Sequence, residues 1–191
     1  MRKPTVGLRL RIWVVKANGK KKLVRDRWSR SFVQQWIDIW YGHFRNTVTG
    51  FTVKRTDGVS AANYNSHTLD TTAQGNVDTY GIVVGSGEAA VSVSDYKLQT
   101  QILHGDTPGK LFHSVGKVCP QTFAETDRKW FEYNRSFINM TKYEIVVREV
   151  GIYGKETTNN YYYCFVRDVI GHIVAPPLGG IIVNYIFELS L

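Results

Sequence analysis

Residues 143–169 constrain the fold most strongly, because they have the pattern of a β-hairpin. The first half, residues 143–153, alternates between two sets of side chains: Ile145, Val147 and Glu149 on one face, and Val146, Arg148, Val150 and Ile152 on the other. Because successive side chains of a strand point to opposite faces, this alternation predicts a half-buried strand. Residues 161–169 are mostly aromatic or β-branched, which favours a central strand covered on both faces. Residues 154–160, rich in Gly, Thr and Asn, are the predicted turn.

The N-terminal residues predict a second hairpin. Residues 5–16 alternate between apolar side chains on one face and Arg9, Arg11 and Trp13 on the other. Asn18-Gly19 follows, a pair that favours a two-residue turn in which both positions have positive φ. Residues 20–27 are the predicted return strand. Its lysine run is typical of an exposed sheet edge, where lysine opposes pairing with other strands.

One segment has the pattern of an amphipathic helix, and it begins at Ser31. Ser31 and Gln34 match a capping box, in which the serine hydroxyl accepts a hydrogen bond from a free N–H at the helix start. Gly42 is the predicted end signal. We expect the apolar stripe of this helix to pack on the chain's own sheet in preference to another subunit. The stripe consists of Phe32, Val33, Trp36, Ile37, Trp40 and Phe44.

Further strands are predicted at residues 47–54, 79–85, 111–118, 129–139 and 181–191. In the segment 129–139, Phe131, Tyr133 and Phe137 share one face. Residues 60–77 have no periodicity and are rich in Ser, Asn, Thr and Ala. An aperiodic segment of this length is uncommon in a compact domain, so we expect an arm that becomes ordered between neighbouring molecules.

These elements predict a mostly β protein: an antiparallel β-sandwich of about eight to ten strands with an N-terminal β-hairpin and one amphipathic covering helix. The 191 residues are enough for a single domain, 1–191, with a sizeable core. Within it we distinguish a basic hairpin and helix at 1–55, a flexible polar loop at 56–78 and a sandwich core at 79–191. We expect no secretory signal, because the first residues lead into an alternating strand, and no apolar run reaches about 20 residues, the length of a membrane span.

The net charge of +8 is unevenly distributed along the chain. Residues 1–55 contain 14 Lys and Arg against two acids, a net of +12, whereas the remainder contains 10 against 14, a net of −4. This asymmetry favours an acidic partner for the N-terminal part: nucleic acid, a negative protein surface or the acidic part of a neighbouring copy. A solvated basic face is the alternative.

The sequence has no pattern that indicates catalysis, a cofactor or a metal site. The five histidines lack carboxylates or thiols at ligand spacing, and we interpret each as a surface or hydrogen-bonded residue. For Cys119 and Cys164, two buried thiols are favoured over a disulfide. Structural ion pairs, in preference to a catalytic acid pair, are predicted for four charged residues of the central hairpin: Arg148, Glu149, Arg167 and Asp168.

Several phrases of the sequence, taken in order, resemble those of β-rich structural proteins from the virions and prophages of tailed bacteriophages. They are RSFV at 30–33, YGIVVGSG at 80–87, VSVSDYKLQTQI at 91–102, HG at 104–105, EVGIY at 149–153 and FVRDV at 165–169. The resemblance covers residues 25–191 and includes no catalytic signature. It implies a non-enzymatic virion component of the tail, baseplate or neck that is assembled in the host cytoplasm. A capsid decoration protein is an alternative.

A protein of this kind acts through its surfaces. We expect its partners to be copies of itself, in a ring or other symmetric oligomer, and other virion proteins. A carbohydrate- or receptor-binding sandwich, a nucleic-acid-binding protein and a hydrolase are the alternatives, and no membrane contact is expected. The candidate interface residues are cationic, aromatic or loop residues: Arg9, Arg11, Lys20, Lys21, Lys22, Phe32, Trp36, Trp40, Asn63 and Tyr64.

Overall fold

A computed structural model describes residues 5–29, 31–45, 52–62, 69–119, 123–125 and 127–190 of the chain. These residues form one helix and thirteen strands. The long strands are β1 (Thr5–Val15), β2 (Lys21–Ser29), β10 (Arg128–Ile138), β11 (Ile145–Glu156), β12 (Tyr162–Ala175) and β13 (Gly180–Ser190). The other elements are short: α1 (Gln34–Arg45), β3 (Thr52–Lys54), β4 (Ser60–Ala62), β5 (Leu69–Asp70), β6 (Gly81–Gly85), β7 (Phe112–His113), β8 (Lys117–Val118) and β9 (Phe123–Glu125).

The strands form two main antiparallel sheets. The larger has the order β2-β1-β13-β10-β7, with β8 and β9 also paired to β10. The smaller has the order β12-β11-β5, with β6 also paired to β11, and β3 and β4 form a separate hairpin. The predicted antiparallel sandwich with an N-terminal hairpin and a covering helix is therefore confirmed. Among the described residues, no helix has the length and apolar character needed to cross a membrane.

The core lies between the inner faces of the two sheets. Leu8, Leu10 and Ile12 of β1 are fully buried there, as the alternation of residues 5–16 predicted. Burying one such side chain stabilises the fold by about 1.5–3 kcal/mol. Because β1 pairs along its whole length with β13, the N-terminal hairpin is part of the larger sheet.

The turn between β1 and β2 differs from the prediction. The Lys16 N–H donates to the Lys20 carbonyl at 2.9 Å, and the Gly19 N–H donates to the Lys16 carbonyl at 2.8 Å. Residues 17–19 therefore form a three-residue loop, in which Gly19 has a positive φ of 78° and Asn18 does not. The expected two-residue turn is therefore wrong. In a three-residue loop, one glycine in the left-handed conformation after the tight turn lets the backbone follow the twist of the two strands.

The predicted capping box is also wrong, because Ser31 belongs to a short extended segment before the helix. The Ser31 carbonyl accepts the Arg167 N–H at 3.1 Å, and Phe32 forms an isolated β-bridge with Val166. The helix begins at Gln34 and continues past Gly42 to residue 45, so Gly42 is internal and buried. Pairing with β12 outweighs the local capping signal.

A bulge between β11 and β12 exchanges the two predicted faces of β11. The register with β12 shifts between Val147 and Glu149. As a result Val147 faces the core before the shift and Val150 faces it afterwards, although the sequence alternation assigns them to opposite faces. The extra residues are in β12, where residues 170–172 lie opposite Arg148, and they include Gly171, whose φ of 74° favours glycine.

The polar segment 60–77 is less irregular than predicted. Residues 60–62 form β4, which pairs with β3. Farther along, the Ala73 carbonyl accepts the Gly116 N–H at 2.8 Å, and the Asn76 N–H donates to the His113 carbonyl at 2.9 Å. The described part of this segment is therefore bonded to its own chain. Residues 63–68, with the predicted contact residues Asn63 and Tyr64, and residues 47–51 of the predicted strand 47–54 lie outside the described residues.

Candidate functional site

An apolar groove of about 890 Å³ opens between α1 and one end of the larger sheet. Its helical side is formed by Phe32, Trp36, Ile39 and Trp40. Its sheet side and floor are formed by strand residues that include Val6, Val118, Phe131, Phe187, Leu189 and Phe165. Almost all of these side chains are hydrocarbon, so the groove suits an apolar occupant.

Two polar side chains in the groove wall, Tyr133 and Glu188, have hydrogen-bond partners within the chain. The Tyr133 hydroxyl donates to the Thr71 carbonyl and accepts the Ile82 N–H at 3.0 Å. The Glu188 carboxylate accepts a hydrogen bond from Arg128 at 2.6 Å. The Tyr133 hydroxyl therefore has little hydrogen-bonding capacity left for a polar ligand.

The groove exists because α1 packs mainly on the smaller sheet and the β3–β4 hairpin. The Val33 N–H donates to the Phe165 carbonyl at 3.0 Å, which fixes the chain at β12 just before the helix begins. Gln35 and Ile39 are buried and form the packed side of the helix. The end of the larger sheet is left uncovered by the helix, and the groove runs between them.

The exposed side of α1 carries Ile37, Trp40, Tyr41 and Phe44, which we call the aromatic ridge. Ile37 is 63% exposed, Trp40 44% and Phe44 86%. The rings of Trp36 and Trp40 lie 5.6 Å apart, and those of Trp40 and Phe44 lie 6.0 Å apart. The ridge therefore continues from the wall of the groove out into solvent.

The helix prediction was right about packing on the chain's own sheet but wrong about half of the buried stripe. Trp36 is partly buried, with its ring 5.5 Å from that of Phe165. The predicted stripe residues Ile37, Trp40 and Phe44 are exposed instead. The structure thus brings the candidate residues Phe32, Trp36 and Trp40 together at the groove.

The cationic candidates lie elsewhere. Arg9 binds the Asp26 carboxylate through two hydrogen bonds of 2.5 and 2.9 Å, and Arg11 binds it at 3.2 Å. Hydrogen bonds from Arg9, with the charge of Arg11, hold the pKa of Asp26 below its usual range. The exposed lysine run includes Lys21, which pairs with Val15. Val15 lies nine residues along β1 from Val6 at the groove, a distance of about 30 Å. The candidate residues Lys20, Lys21 and Lys22 are thus far from the aromatic ones.

Glu149 and Arg167 form a buried ion pair. The Arg167 Nε lies 2.9 Å from Glu149 Oε2, and its Nη1 lies 2.7 Å from Asp95 Oδ2. Glu149 also accepts three backbone hydrogen bonds, from Gly87 at 3.1 Å, from Gln99 at 3.0 Å and from Thr100 at 2.7 Å. The pair therefore anchors the loop of residues 86–100 to the sheet, which is a structural role.

The other two predicted ion-pair residues do not join this pair. Arg148 binds the exposed Glu88 at 2.5 Å. Asp168 is fully buried, and burial raises its pKa. From its place in the smaller sheet it accepts hydrogen bonds from residues of the larger sheet and of the segment before the helix: Ser29 at 2.8 Å, Ser31 at 3.0 Å, Tyr185 at 3.1 Å and Arg27 at 3.2 Å. We call these residues the polar seam, because they join the edges of the two sheets.

Sequence reasoning missed a buried cation, Arg135, which has no exposed surface. Its guanidinium donates to the main-chain carbonyls of Ser114, Tyr80, Ile82, Gln74 and Val77 at 2.5–3.2 Å. These five bonds hold residues 74–82 and 114 against β10. The signal was present in the sequence, since position 135 falls on the apolar face of Phe131, Tyr133 and Phe137.

His113 differs from the surface or hydrogen-bonded histidine that was predicted. Its ring is fully buried, and among the described residues neither ring nitrogen has a hydrogen-bond partner. Burial, and secondarily the charge of Arg135, lowers the pKa of His113 to about 4. The ring packs 5.0 Å from that of Phe137 and is part of the core.

The described part of the chain contains no group of three or more His, Cys, Asp or Glu side chains that could hold a metal ion. Cys119 and Cys164 are free thiols, as predicted, although only Cys164 is fully buried. Burial raises the pKa of the Cys164 thiol, which disfavours the reactive thiolate. The groove and the aromatic ridge are therefore the features best suited to function.

No protein-family model, no curated protein and no solved structure matches the chain.

Proposed function

We propose that this chain is a non-enzymatic structural component of a tailed-phage virion, in the tail, baseplate or neck, that acts through contacts between subunits. The observation that carries the proposal is the aromatic ridge beside the apolar groove. Contiguous exposed apolar surface of this kind marks interaction sites, and aromatic residues dominate the energetics of such interfaces. The resemblance of residues 25–191 to virion proteins supports the place of action.

The charged residues at the centre of the molecule support the same proposal. The pair formed by Glu149 and Arg167 uses its hydrogen-bonding groups to hold a loop, and Asp168 uses its carboxylate to join two sheets. Catalytic acids and bases need access to a substrate, whereas these carboxylates are fully buried and bonded within the chain.

The alternatives are supported less well. A carbohydrate site combines aromatic platforms with polar groups that bind hydroxyls, and the groove wall offers few such groups. A nucleic-acid groove needs cations directed at phosphates, and Arg9 and Arg11 are already bound by Asp26. A capsid decoration protein would use the same surfaces and differs only in its place in the particle.

Counting the chain in purified particles tests the proposal. Tailed-phage particles whose genome encodes the chain would be banded by density, dissociated and analysed by quantitative mass spectrometry. We expect several copies per particle, at a fixed ratio to a tail protein. A chain that stays in the lysate and is below one copy per particle would contradict the proposal.

A further inference from the structure

We propose that the aromatic ridge of one copy inserts into the groove of a second copy, and that the second copy does the same in return. The result is a two-fold symmetric contact in which each copy provides both a convex and a concave surface. This inference rests on the proposed function, because it names the partner that covers the same surface.

The chemistry of the groove selects an apolar occupant. Its walls are mostly hydrocarbon from α1, β1, β10 and β13, and of the polar side chains among them Tyr133 and Glu188 have partners within the chain. A polar ligand would lose its hydrogen bonds to water and find few replacements, which costs free energy.

The exposure of the ridge selects a protein over a small apolar molecule. A lipid chain could fill the groove, but it would leave Phe44 at 86% and Ile37 at 63% exposure. A protein surface that covers both the ridge and the groove removes all of this apolar area from water. Aromatic side chains bury about 150–250 Å² each, so the ridge and the groove walls can reach the order of 800 Å² that each partner of a specific interface buries.

The arrangement of the two surfaces selects a second copy of this chain. Trp40 belongs to both of them, and Phe44 lies one helical turn beyond the groove wall. A two-fold axis near Trp40 therefore places each Phe44 opposite the other copy's groove.

The surface around the groove carries both signs of charge, with Lys129 and Glu188 in its wall. The lysines of the β1–β2 hairpin are about 30 Å away, several times the screening length of about 8 Å at physiological salt. The net positive charge thus opposes the contact only weakly.

Light scattering across micromolar concentrations of the full chain tests the contact. We expect the wild-type chain to form dimers, and we expect Phe44→Asp to weaken association at least about tenfold by placing a charge in an apolar site. Leu178→Asp is the matched control, because Leu178 is an equally apolar residue, 64% exposed, in the turn before β13 at the far end of the sheet. It should associate like the wild type. A monomeric wild type, or a Phe44→Asp variant with wild-type association, would overturn the inference.

A mixing experiment tests whether the contact is reciprocal. Val118→Trp fills the groove and leaves the ridge intact, because Val118 lines the groove and is 38% exposed. Phe44→Asp has the opposite defect, so a mixture of the two variants restores one of the two ridge-in-groove contacts. The mixture should therefore associate more tightly than either variant alone, with thermal melting confirming that each is folded. Equal association in the mixture and in the separate variants rejects the reciprocal contact. The particle count decides the proposed function independently of these results.

Discussion

The ion pair of Glu149 and Arg167 and the groove beside α1 differ in whether their side chains already have interaction partners within the chain. At the ion pair, the carboxylate and the guanidinium are buried and bonded on several sides, to each other and to the backbone of residues 86–100. At the groove, large apolar side chains such as Trp40 and Phe44 are left in contact with water. Buried polar groups must have hydrogen-bond partners for the chain to fold, whereas exposed apolar groups can be buried later by a partner. The comparison therefore separates residues that maintain the fold from residues that we propose to serve association.

Removing Arg167 should give the largest loss of stability. Arg167→Met leaves Glu149 as a buried charge without its cation, and breaking a buried pair in this way costs about 3–5 kcal/mol. Arg148→Met is the matched control on the neighbouring strand, because Arg148 pairs with the exposed Glu88 and such pairs contribute about 0–1 kcal/mol. Urea unfolding of both variants measures the difference. Equal losses would show that burial does not distinguish the two pairs.

Acid should destabilise the fold through His113. The unfolded histidine binds its proton near pH 6.5, whereas the buried ring has a pKa of about 4. Between these values the unfolded chain binds more protons than the folded chain. The contribution of His113 to stability is therefore fully present above pH 6.5 and is lost as the pH falls towards 4, by about 3 kcal/mol.

Unfolding midpoints at pH 7 and at mildly acidic pH measure this loss. His113→Phe keeps an aromatic ring next to Phe137 and cannot titrate, so its stability should depend less on pH than that of the wild type. An identical pH dependence in the two proteins would mean that His113 takes no part in acid unfolding.

A substitution in the polar seam should reduce the stability of the fold less than the changes at Arg167 and His113. Asp168→Asn keeps one acceptor oxygen for the hydroxyls of Ser29, Ser31 and Tyr185 but removes the charge that faces Arg27. We expect a loss of about 1–3 kcal/mol, the range for a buried polar group that becomes partly unsatisfied. Asp26→Asn is the control at a partly exposed pair and should cost less than about 1 kcal/mol. Thermal melting of both variants tests the order.

Sequence patterns predicted the elements whose burial is one-sided and regular. In β1 and β13 apolar residues recur at every second position, and both strands formed where expected. The bulge between β11 and β12 could not be predicted in the same way, because it depends on how the two strands pair around Gly171 of β12. The three-residue turn at residues 17–19 was missed because Asn-Gly is compatible with more than one turn type.

The site was harder to predict than the fold. The helix carries apolar residues on two sides, and contacts with β12 and β3, distant in sequence, decide which side is buried. Phe32, Trp36 and Trp40 were identified as contact residues from their composition and spacing, but the groove was not. It is a gap between α1 and strands more than 150 residues apart along the chain, such as β1 and β13, and no local pattern encodes such a gap.

The smallest effect on folding should come from the residue with the largest proposed effect on association. Phe44 is 86% exposed, and its ring contacts that of Trp40 at the surface of the helix. Phe44→Asp should therefore change the free energy of unfolding by no more than about 0.5 kcal/mol, as is usual for surface substitutions. The measurement must be made at a concentration low enough for the wild type to be monomeric, because association adds its own stability. Ile39→Asp is the contrasting variant, since Ile39 lies on the buried side of the same helix and a charge there would lack a partner. Comparable destabilisation by the two substitutions would mean that the ridge is part of the core, and the distinction between folding and association residues would fail.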